Sequence, residues 1–219
     1  MTDPFDEKLR SSLRKVSIIA VLVIDKADDA VPLAKALLRG GITAIELTLR
    51  TESALDALDR IRKETPELLA GVGTILNADQ VRAVKERGAP FGVSPGLNLS
   101  VVAAARNVGL PFAPGIMTPS ELEAAYENGC RIVKLFPSEA AGGLPYLKDI
   151  NAPYAHLGIE YIPLGGVSAA NLQKYLEEPS VLAVGGSWLA PRKLIQAHDW
   201  DQISRNCEEA GKIALMVRA

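Results

Sequence analysis

The sequence places two charged side chains, Glu46 and Lys134, inside segments that are otherwise apolar. Lys134 follows Ile132–Val133 and precedes Leu135–Phe136, and a lysine is almost never fully buried without a reason. Apolar surroundings favour the neutral amine, which can attack a ketone to form an imine. The imine then accepts the electron pair when a carbon–carbon bond breaks. Lys134 is therefore predicted to be a Schiff-base nucleophile; the alternative is a structural pair with Glu46.

Glu46 shares one face of its predicted strand with Thr48 and Arg50, because successive side chains of a strand point to opposite faces. The intervening residues are apolar and are expected to face the helices. Glu46 and Arg50 then point into or over the mouth of the sheet. A buried glutamate is costly unless it is paired, and it is more often kept for function than for packing. A purely structural ion pair is the alternative.

The chain has too few histidines for a zinc site with three histidine ligands. The chain has only two histidines, His156 and His198, far apart and without cysteine or carboxylate at zinc-site spacing. A zinc held by three histidines is excluded, so neither a metal nor another cofactor is predicted, and the imine is the expected electron sink. The two distant cysteines, Cys130 and Cys207, are predicted to be buried in a protein of the reducing cytosol.

The chain around these residues alternates short apolar runs with amphipathic helical segments. The eight runs are Ser17–Ile24, Ile42–Thr48, Leu69–Gly73, Phe91–Ser94, Pro111–Ala113, Arg131–Phe136, Ile159–Leu164 and Val181–Val184. The predicted helices are Pro4–Arg14, Asp28–Arg39, Ser53–Lys63, Asn77–Arg87, Asn98–Val108, Thr118–Asn128, Ser168–Glu177 and Asp199–Val217. Eight such units predict an α/β fold, a (β/α)8 TIM barrel with an extra N-terminal helix, as one domain over residues 1–219.

Two glycine-rich segments follow the seventh and eighth runs. They are Gly165–Gly166 and Gly185–Ser187, and Ser187–Pro191 is predicted to add a short helical turn. The loops after these two strands commonly bind phosphate in this fold, because free backbone N–H groups surround the anion. Ordinary glycine turns are the alternative.

Overall composition argues against several other classes of protein. Net charge is −2, and the basic residues are dispersed among acidic ones, so no nucleic-acid surface is predicted. The longest apolar run, Ile18–Ile24, is far shorter than a membrane span, and the acidic N-terminus is unlike a signal peptide. A cytoplasmic protein without a membrane partner is expected.

Six motifs follow one another along nearly the whole chain, from about Ile18 to the C-terminal helix. They are Glu46–Thr51, Gly71–Thr74, Ser94–Leu97, Lys134–Pro137, Gly165–Gly166 and Gly185–Trp188. Together they resemble the signature of the 2-keto-3-deoxy-6-phosphogluconate aldolases, whose bifunctional members are also called 4-hydroxy-2-oxoglutarate aldolases. The resemblance implies a homotrimer of the cytoplasm that acts on a phosphorylated keto sugar acid and pyruvate.

The resemblance also implies a role for each matching residue. Lys134 would form the Schiff base with the C2 ketone, and Glu46 would transfer protons through a water molecule. The substrate would be held by Arg50, Thr74 and the backbone near Pro95 at its carboxylate, by Phe136 beside the imine, and by Gly165, Gly166, Gly186 and Ser187 at its phosphate.

Two positions depart from the family pattern. Leu164 stands where the family often has threonine, and Ile24–Asp25 stands where some members carry an arginine. The first departure removes a hydroxyl and leaves the sugar acid open. Besides 2-keto-3-deoxy-6-phosphogluconate, the substrate could be 4-hydroxy-2-oxoglutarate or the galactonate-derived phosphosugar acid. A non-catalytic phosphosugar-binding barrel is the alternative of another class.

Overall fold

The computed structural model describes residues 5–218, which form a barrel of parallel strands surrounded by helices. The strands are β1 (Ile18–Leu22), β2 (Ala44–Thr48), β3 (Leu69–Gly73), β4 (Gly92–Val93), β5 (Phe112–Ala113), β6 (Gly115–Ile116), β7 (Ile132–Leu135), β8 (Glu160–Pro163) and β9 (Val184–Gly186). The helices are α1 (Glu7–Val16), α2 (Ala30–Arg39), α3 (Ala54–Glu64), α4 (Ala78–Glu86), α5 (Leu99–Asn107), α6 (Pro119–Glu127), α7 (Gly143–Asn151), α8 (Ala169–Leu176), α9 (Arg192–Gln196) and α10 (Trp200–Arg218).

The strands pair in the ring order of a closed eight-stranded barrel. One sheet has the order β5-β4-β3-β2-β1-β9 and the other β6-β7-β8. Segments β5 and β6 are one barrel strand interrupted at Pro114, whose carbonyl accepts the N–H of Lys134. The remaining gap is crossed by a single parallel bridge between Tyr161 and Val181. The (β/α)8 prediction is confirmed.

The last strand lies later in the chain than predicted. The predicted run Val181–Val184 overlaps β9 at one residue only, because the ladder to β1 runs from Val184 to Gly186. The Gly185–Gly186 pair is therefore part of a strand, and the prediction of a loop at these two residues is wrong. Leu164 lies so close to Gly185 that a Cβ there would approach its side chain to 2.4 Å. Glycine at this position is explained by packing inside the barrel.

The predicted helices are confirmed to within a few residues, but two helices, α7 and α9, were missed. Helix α7 separates β7 from β8 and contains Gly143 and Pro145 in its first turn. Such residues are typical breakers, yet proline is tolerated in the first turn, where no intrahelical donor is needed. The predicted helical turn at Ser187–Pro191 is wrong. Pro191 has an extended backbone, and the helical residues begin at Arg192.

Helix α1 closes the N-terminal end of the barrel. Its apolar residues Leu9 and Leu13 pack with inward-facing side chains such as Ile19 and Ile132. Glu160 points to the same end from β8 and forms ion pairs with two arginines of α1, including Arg10 at 3.2 Å. Pro4, the first residue of the predicted helix, lies outside the described residues. The open end of the barrel is thus the C-terminal end of the strands.

We expect Leu13→Ala to lower the free energy of unfolding by about 3 kcal/mol, because the fully buried side chain fills the closed end of the barrel. Urea denaturation measures this value. Leu9→Ala, on the same helix but only half-buried, is the matched control and should cost clearly less. If both variants lost the same free energy of unfolding, Leu13 would not be the residue that fills the closed end of the barrel.

Candidate active site

Glu46 and Lys134 meet in the interior of the barrel. The Lys134 amine lies 3.0 Å from Glu46 Oε1 and 3.2 Å from Oε2. Their side chains are only 6% and 4% exposed. Glu46 comes from β2 and Lys134 from β7, so the pair spans the barrel rather than neighbouring strands. Glu46 thus points into the barrel, as the strand pattern predicted, and it contacts the lysine directly.

Two glycines of β3 leave space inside the barrel, one for the Glu46 carboxylate and the other for the Phe91 ring. A Cβ on Gly73 would lie 2.0 Å from Glu46 Oε1, and a Cβ on Gly71 would lie 2.1 Å from the Phe91 ring. Both residues point inward, and any side chain at Gly73 would displace the carboxylate. The Gly71–Thr74 motif therefore has a packing role that its sequence did not reveal.

Arg50 lies at the barrel mouth, beyond the end of β2. Its Nε donates to Thr48 Oγ1 at 3.2 Å, and the Thr48 hydroxyl donates to the Leu22 carbonyl at 2.8 Å. Thr48 thus orients the guanidinium group and ties β2 to β1. Arg50 is exposed and borders a cleft with Gly166 and Ser187. The structure brings together these three predicted substrate-binding residues.

Thr74 and Pro95 follow β3 and β4 at the same end of the barrel. Thr74 has a φ of 59°, which is rare for a residue with a side chain and is typical of functional segments. The Pro95 carbonyl approaches β6 so closely that a Cβ on Gly115 would lie 2.2 Å from its oxygen. Gly115 pairs in register with Lys134 on β7. The backbone near Pro95 is therefore next to the strand pair that carries the lysine.

Phe136 lies between the lysine and the first glycine loop. Its ring centroid is 5.3 Å from the Lys134 amine. A Cβ on Gly165 would approach the same ring to 3.2 Å, and the Phe136–Pro137 peptide bond is cis. The ring is 37% exposed, an unusual fraction for a large apolar side chain at the end of a buried strand. Phe136 is thus placed to shield one side of a group bound at Lys134.

The glycine loop after β8 has a backbone that other residues rarely adopt. Gly165 and Gly166 have φ values of 91° and 87°. The loop is held by two main-chain bonds, from Ser138 N–H to the Leu164 carbonyl at 2.7 Å and from Glu139 N–H to the Gly165 carbonyl at 2.9 Å. The conformation of this loop is therefore held by the segment that directly follows β7, the strand that carries Lys134.

A buried tyrosine supports the same loop from helix α8. The hydroxyl groups of Tyr175 and Ser138 are 2.8 Å apart, and Tyr175 also donates to the Glu139 carboxylate. Burial, together with the hydrogen bond to Glu139, raises the pKa of Tyr175 to about 12, so the phenol stays protonated at neutral pH. The sequence analysis did not identify this residue, because its contact with the loop is visible only in three dimensions.

The cleft beside this loop has a volume of about 510 Å³ and opens at the C-terminal end of the strands. Its lining residues are Val21, Val23, Arg50, Gly166, Val167, Ser187, Trp188, Ala190, Pro191 and Arg192. Gly186, which is predicted to bind phosphate, is buried and does not line this cleft, and a Cβ there would lie 1.5 Å from the Trp188 ring. Trp188 and Arg192 were not singled out by the sequence analysis.

We also looked for a second cleft, a metal site and a membrane-spanning helix. A larger cleft, of about 1380 Å³, lies at the opposite end of the barrel between α1 and α10, away from Lys134. Among residues 5–218, no cluster of three His, Cys, Asp or Glu side chains has metal-site geometry, and no helix is long and apolar enough to cross a membrane.

Comparison with known proteins gives consistent matches over almost the whole chain. The sequence family described as "Aldolase: KDPG and KHG aldolase" matches residues 9–206. The 2-dehydro-3-deoxy-phosphogluconate aldolase of Haemophilus influenzae is 40% identical over 203 residues, 93% of this chain and 95% of that protein. The KHG/KDPG aldolase of Escherichia coli K12 is 44% identical over 193 residues, covering 88% and 90% of the two chains.

A solved structure agrees with these sequence relatives. The KDPG aldolase of Legionella pneumophila, crystallised with pyruvate captured at low pH as a covalent carbinolamine intermediate, superimposes with a TM-score of 0.87 at 37% identity. The match covers 92% of this chain and 97% of that one. A carbinolamine is the adduct that forms when an amine adds to a carbonyl group.

We expect Gly73→Ala to lower the catalytic rate about 100-fold or more, because the added methyl group displaces the Glu46 carboxylate from Lys134. Steady-state kinetics measure the rate, and circular dichroism verifies that the variant is folded. Gly211→Ala is the control, since a Cβ on Gly211 meets nothing nearer than 3.7 Å. A Gly73→Ala enzyme with the wild-type rate would show that the carboxylate position is unimportant.

Proposed function

Because the chain belongs to the KDPG and KHG aldolase family and is thus a carbon–carbon lyase, we propose that it cleaves 2-keto-3-deoxy-6-phosphogluconate to pyruvate and glyceraldehyde 3-phosphate. The observation that carries the proposal is the contact between Lys134 and Glu46 inside an apolar barrel. One group supplies the nucleophile and the other a base within hydrogen-bonding distance.

The proposed reaction begins when the Lys134 amine adds to the C2 ketone. Loss of water from this adduct gives a protonated imine. Glu46, acting through a water molecule, removes the proton of the C4 hydroxyl as the C3–C4 bond breaks, and the electron pair moves to the imine to give an enamine. Protonation of the enamine at C3, followed by hydrolysis, releases pyruvate and the free lysine. The imine thus performs the role of electron sink.

The remaining site residues are proposed to position the substrate. Arg50 and Thr74, with the backbone near Pro95, hold the carboxylate at one side of the mouth. Gly165, Gly166, Gly186 and Ser187 are proposed to hold the phosphate, the glycines through backbone N–H groups and Ser187 also through its hydroxyl. Phe136 packs beside the imine.

The identity of the sugar acid depends on the end of the substrate that lies away from Lys134. Leu164 is buried and packs against Gly185 in the barrel interior, so it presents an apolar surface where the family pattern has a hydroxyl. 4-Hydroxy-2-oxoglutarate and the galactonate-derived phosphosugar acid remain alternative substrates. Comparing kcat/KM for the three compounds distinguishes them.

Borohydride trapping with pyruvate tests the assignment of Lys134. We expect reduction to leave one pyruvate-derived group on Lys134, identified by peptide mass spectrometry, since only an imine is reduced to a stable amine. The Lys134→Arg variant keeps a cation near Glu46 and should not be labelled. Labelling of a different lysine, or of none, would refute the assignment.

The same experiment separates the role of Glu46 from that of Lys134. We expect Glu46→Gln to form the trapped adduct but to lose about 10²–10⁴-fold in turnover, because glutamine has a similar shape and accepts no proton. Glu52→Gln, an exposed neighbour outside the barrel, is the control and should retain the wild-type rate. Unchanged turnover in Glu46→Gln would exclude a proton-transfer role.

The oligomeric state and the cellular location are the last parts of the proposal. We propose a homotrimer in the cytoplasm, with residues 1–219 of each subunit folded as one domain. Leu76, Leu99 and Met117 are 39–52% exposed and lie at the starts of three neighbouring helices, α4, α5 and α6, at the same end of the barrel. Apolar side chains concentrated in this way favour contact with another subunit.

We expect Leu99→Lys to weaken the assembly, because a charge would be buried in the contact. Sedimentation velocity at several protein concentrations measures the change. Leu215→Lys is the matched control, since Leu215 is 71% exposed on α10, away from these three residues. If both variants sediment as the wild-type protein does, the surface around Leu99 is not the interface.

A further inference from the structure

Two guanidinium groups border the mouth cleft. Arg50 extends from the end of β2, and Arg192 is the first residue of α9, which follows β9. Within the described part of the chain, the residues lining this cleft include no carboxylate. An anion that enters therefore meets positive charge from two separate elements.

Arg192 is held in place by Asp25, which follows β1. Arg192 Nε donates to Asp25 Oδ2 at 2.9 Å, Arg192 Nη2 donates to Oδ1, and Gln196 Nε2 donates to Oδ2 at 2.8 Å. The hydrogen bond from Arg192, reinforced by that from Gln196, lowers the pKa of Asp25 to about 2. The pair therefore stays ionised at neutral pH and fixes the plane of the guanidinium group.

The pairing leaves part of the guanidinium group free for a ligand. Arginine has five N–H donors, and the contacts with Asp25 occupy the Nε and Nη2 edge. The Nη1 edge is the one that a phosphate could contact without meeting Asp25. Arg192 is 54% exposed on its side chain, so a ligand can reach it from the cleft.

The charge of the proposed substrate requires such a group. A phosphate monoester carries about −1.5 to −2 charges at neutral pH. The glycine loops and Ser187 offer neutral donors only, and Arg50 is proposed to bind the carboxylate at the other end of the substrate. Arginine matches phosphate with paired N–H donors and always carries its charge.

We propose that Arg192, positioned by Asp25, binds the phosphate of the substrate and makes the enzyme prefer phosphorylated over unphosphorylated keto acids. This inference rests on the proposed function, since it assigns the phosphate of the same substrate. It also gives a purpose to Asp25, which stands near the end of the first strand where some family members carry an arginine. Here the cation comes instead from the segment after the last strand.

The test compares a phosphorylated with an unphosphorylated substrate in Arg192→Gln. With 2-keto-3-deoxy-6-phosphogluconate, we expect kcat/KM to fall about tenfold or more, mainly through KM, because a charge-assisted hydrogen bond is lost. With 2-keto-3-deoxygluconate, which has no phosphate, kcat/KM should change less than about twofold. Equal losses on both substrates would overturn the proposal.

Two further variants serve as controls. Lys193→Gln removes the same charge from the same helix, but Lys193 does not line the cleft, so the KM for the phosphorylated substrate should stay unchanged. Arg192→Lys restores the charge without the paired donors and should recover part of the affinity. A KM in Lys193→Gln as high as in Arg192→Gln would point to general electrostatics and refute a specific contact.

A binding measurement separates this inference from the proposed function. Inorganic phosphate is titrated calorimetrically into the wild-type protein and into Arg192→Gln, without any keto acid. We expect affinity to fall about tenfold or more in the variant, and equal affinities would overturn the role of Arg192. Borohydride trapping with pyruvate involves no phosphate, so its failure would refute Lys134 chemistry and leave the phosphate result standing.

Discussion

The contact between Glu46 and Lys134 brings a carboxyl group and an amine together inside a barrel whose inward-facing side chains are mostly apolar. Removal of either partner would leave an uncompensated buried charge, which typically costs about 3–5 kcal/mol. The pair also depends on its surroundings, because only glycine at position 73 leaves room for the carboxylate. On the other side of the pair, the ring centroid of Phe136 lies 5.3 Å from the Lys134 amine.

The contacts that close and stabilise the barrel lie at one end of its strands, and the residues proposed to bind the substrate lie at the other. At the N-terminal end of the strands, α1 packs Leu13 into the interior and its arginines pair with Glu160. This end admits no substrate to Lys134. At the other end, the strands finish in glycine-rich or strained segments that leave backbone groups accessible. Ser138 and Glu139, in the segment that follows β7, donate main-chain hydrogen bonds to the glycine loop, so this loop is anchored a few residues beyond Lys134.

The mouth is organised by polar contacts between distant parts of the chain. Thr48 orients Arg50, Tyr175 supports the loop of Gly165, and Asp25 orients Arg192. The contacts of Thr48 and Asp25 each limit the motion of an arginine that borders the mouth cleft, and the contact of Tyr175 holds the segment to which the glycine loop is bonded. Such preorganisation lowers the entropy that is lost when a ligand binds. The cations are therefore fixed before the substrate arrives.

The sequence alone was sufficient for the barrel, for most element boundaries and for the inward position of Glu46. The reason is that the alternation of strand and helix patterns, and a charge within an apolar run, are local signals. The sequence-based prediction placed Gly185 and Gly186 in a loop, missed α7 and α9, and did not single out Arg192 or Tyr175. These features depend on which segments become neighbours when the barrel closes. A glycine is required at position 73 by a carboxylate from another strand, and Arg192 is positioned by an aspartate from the other end of the chain. Only the tertiary structure decides such contacts, since the sequence carries no local record of them.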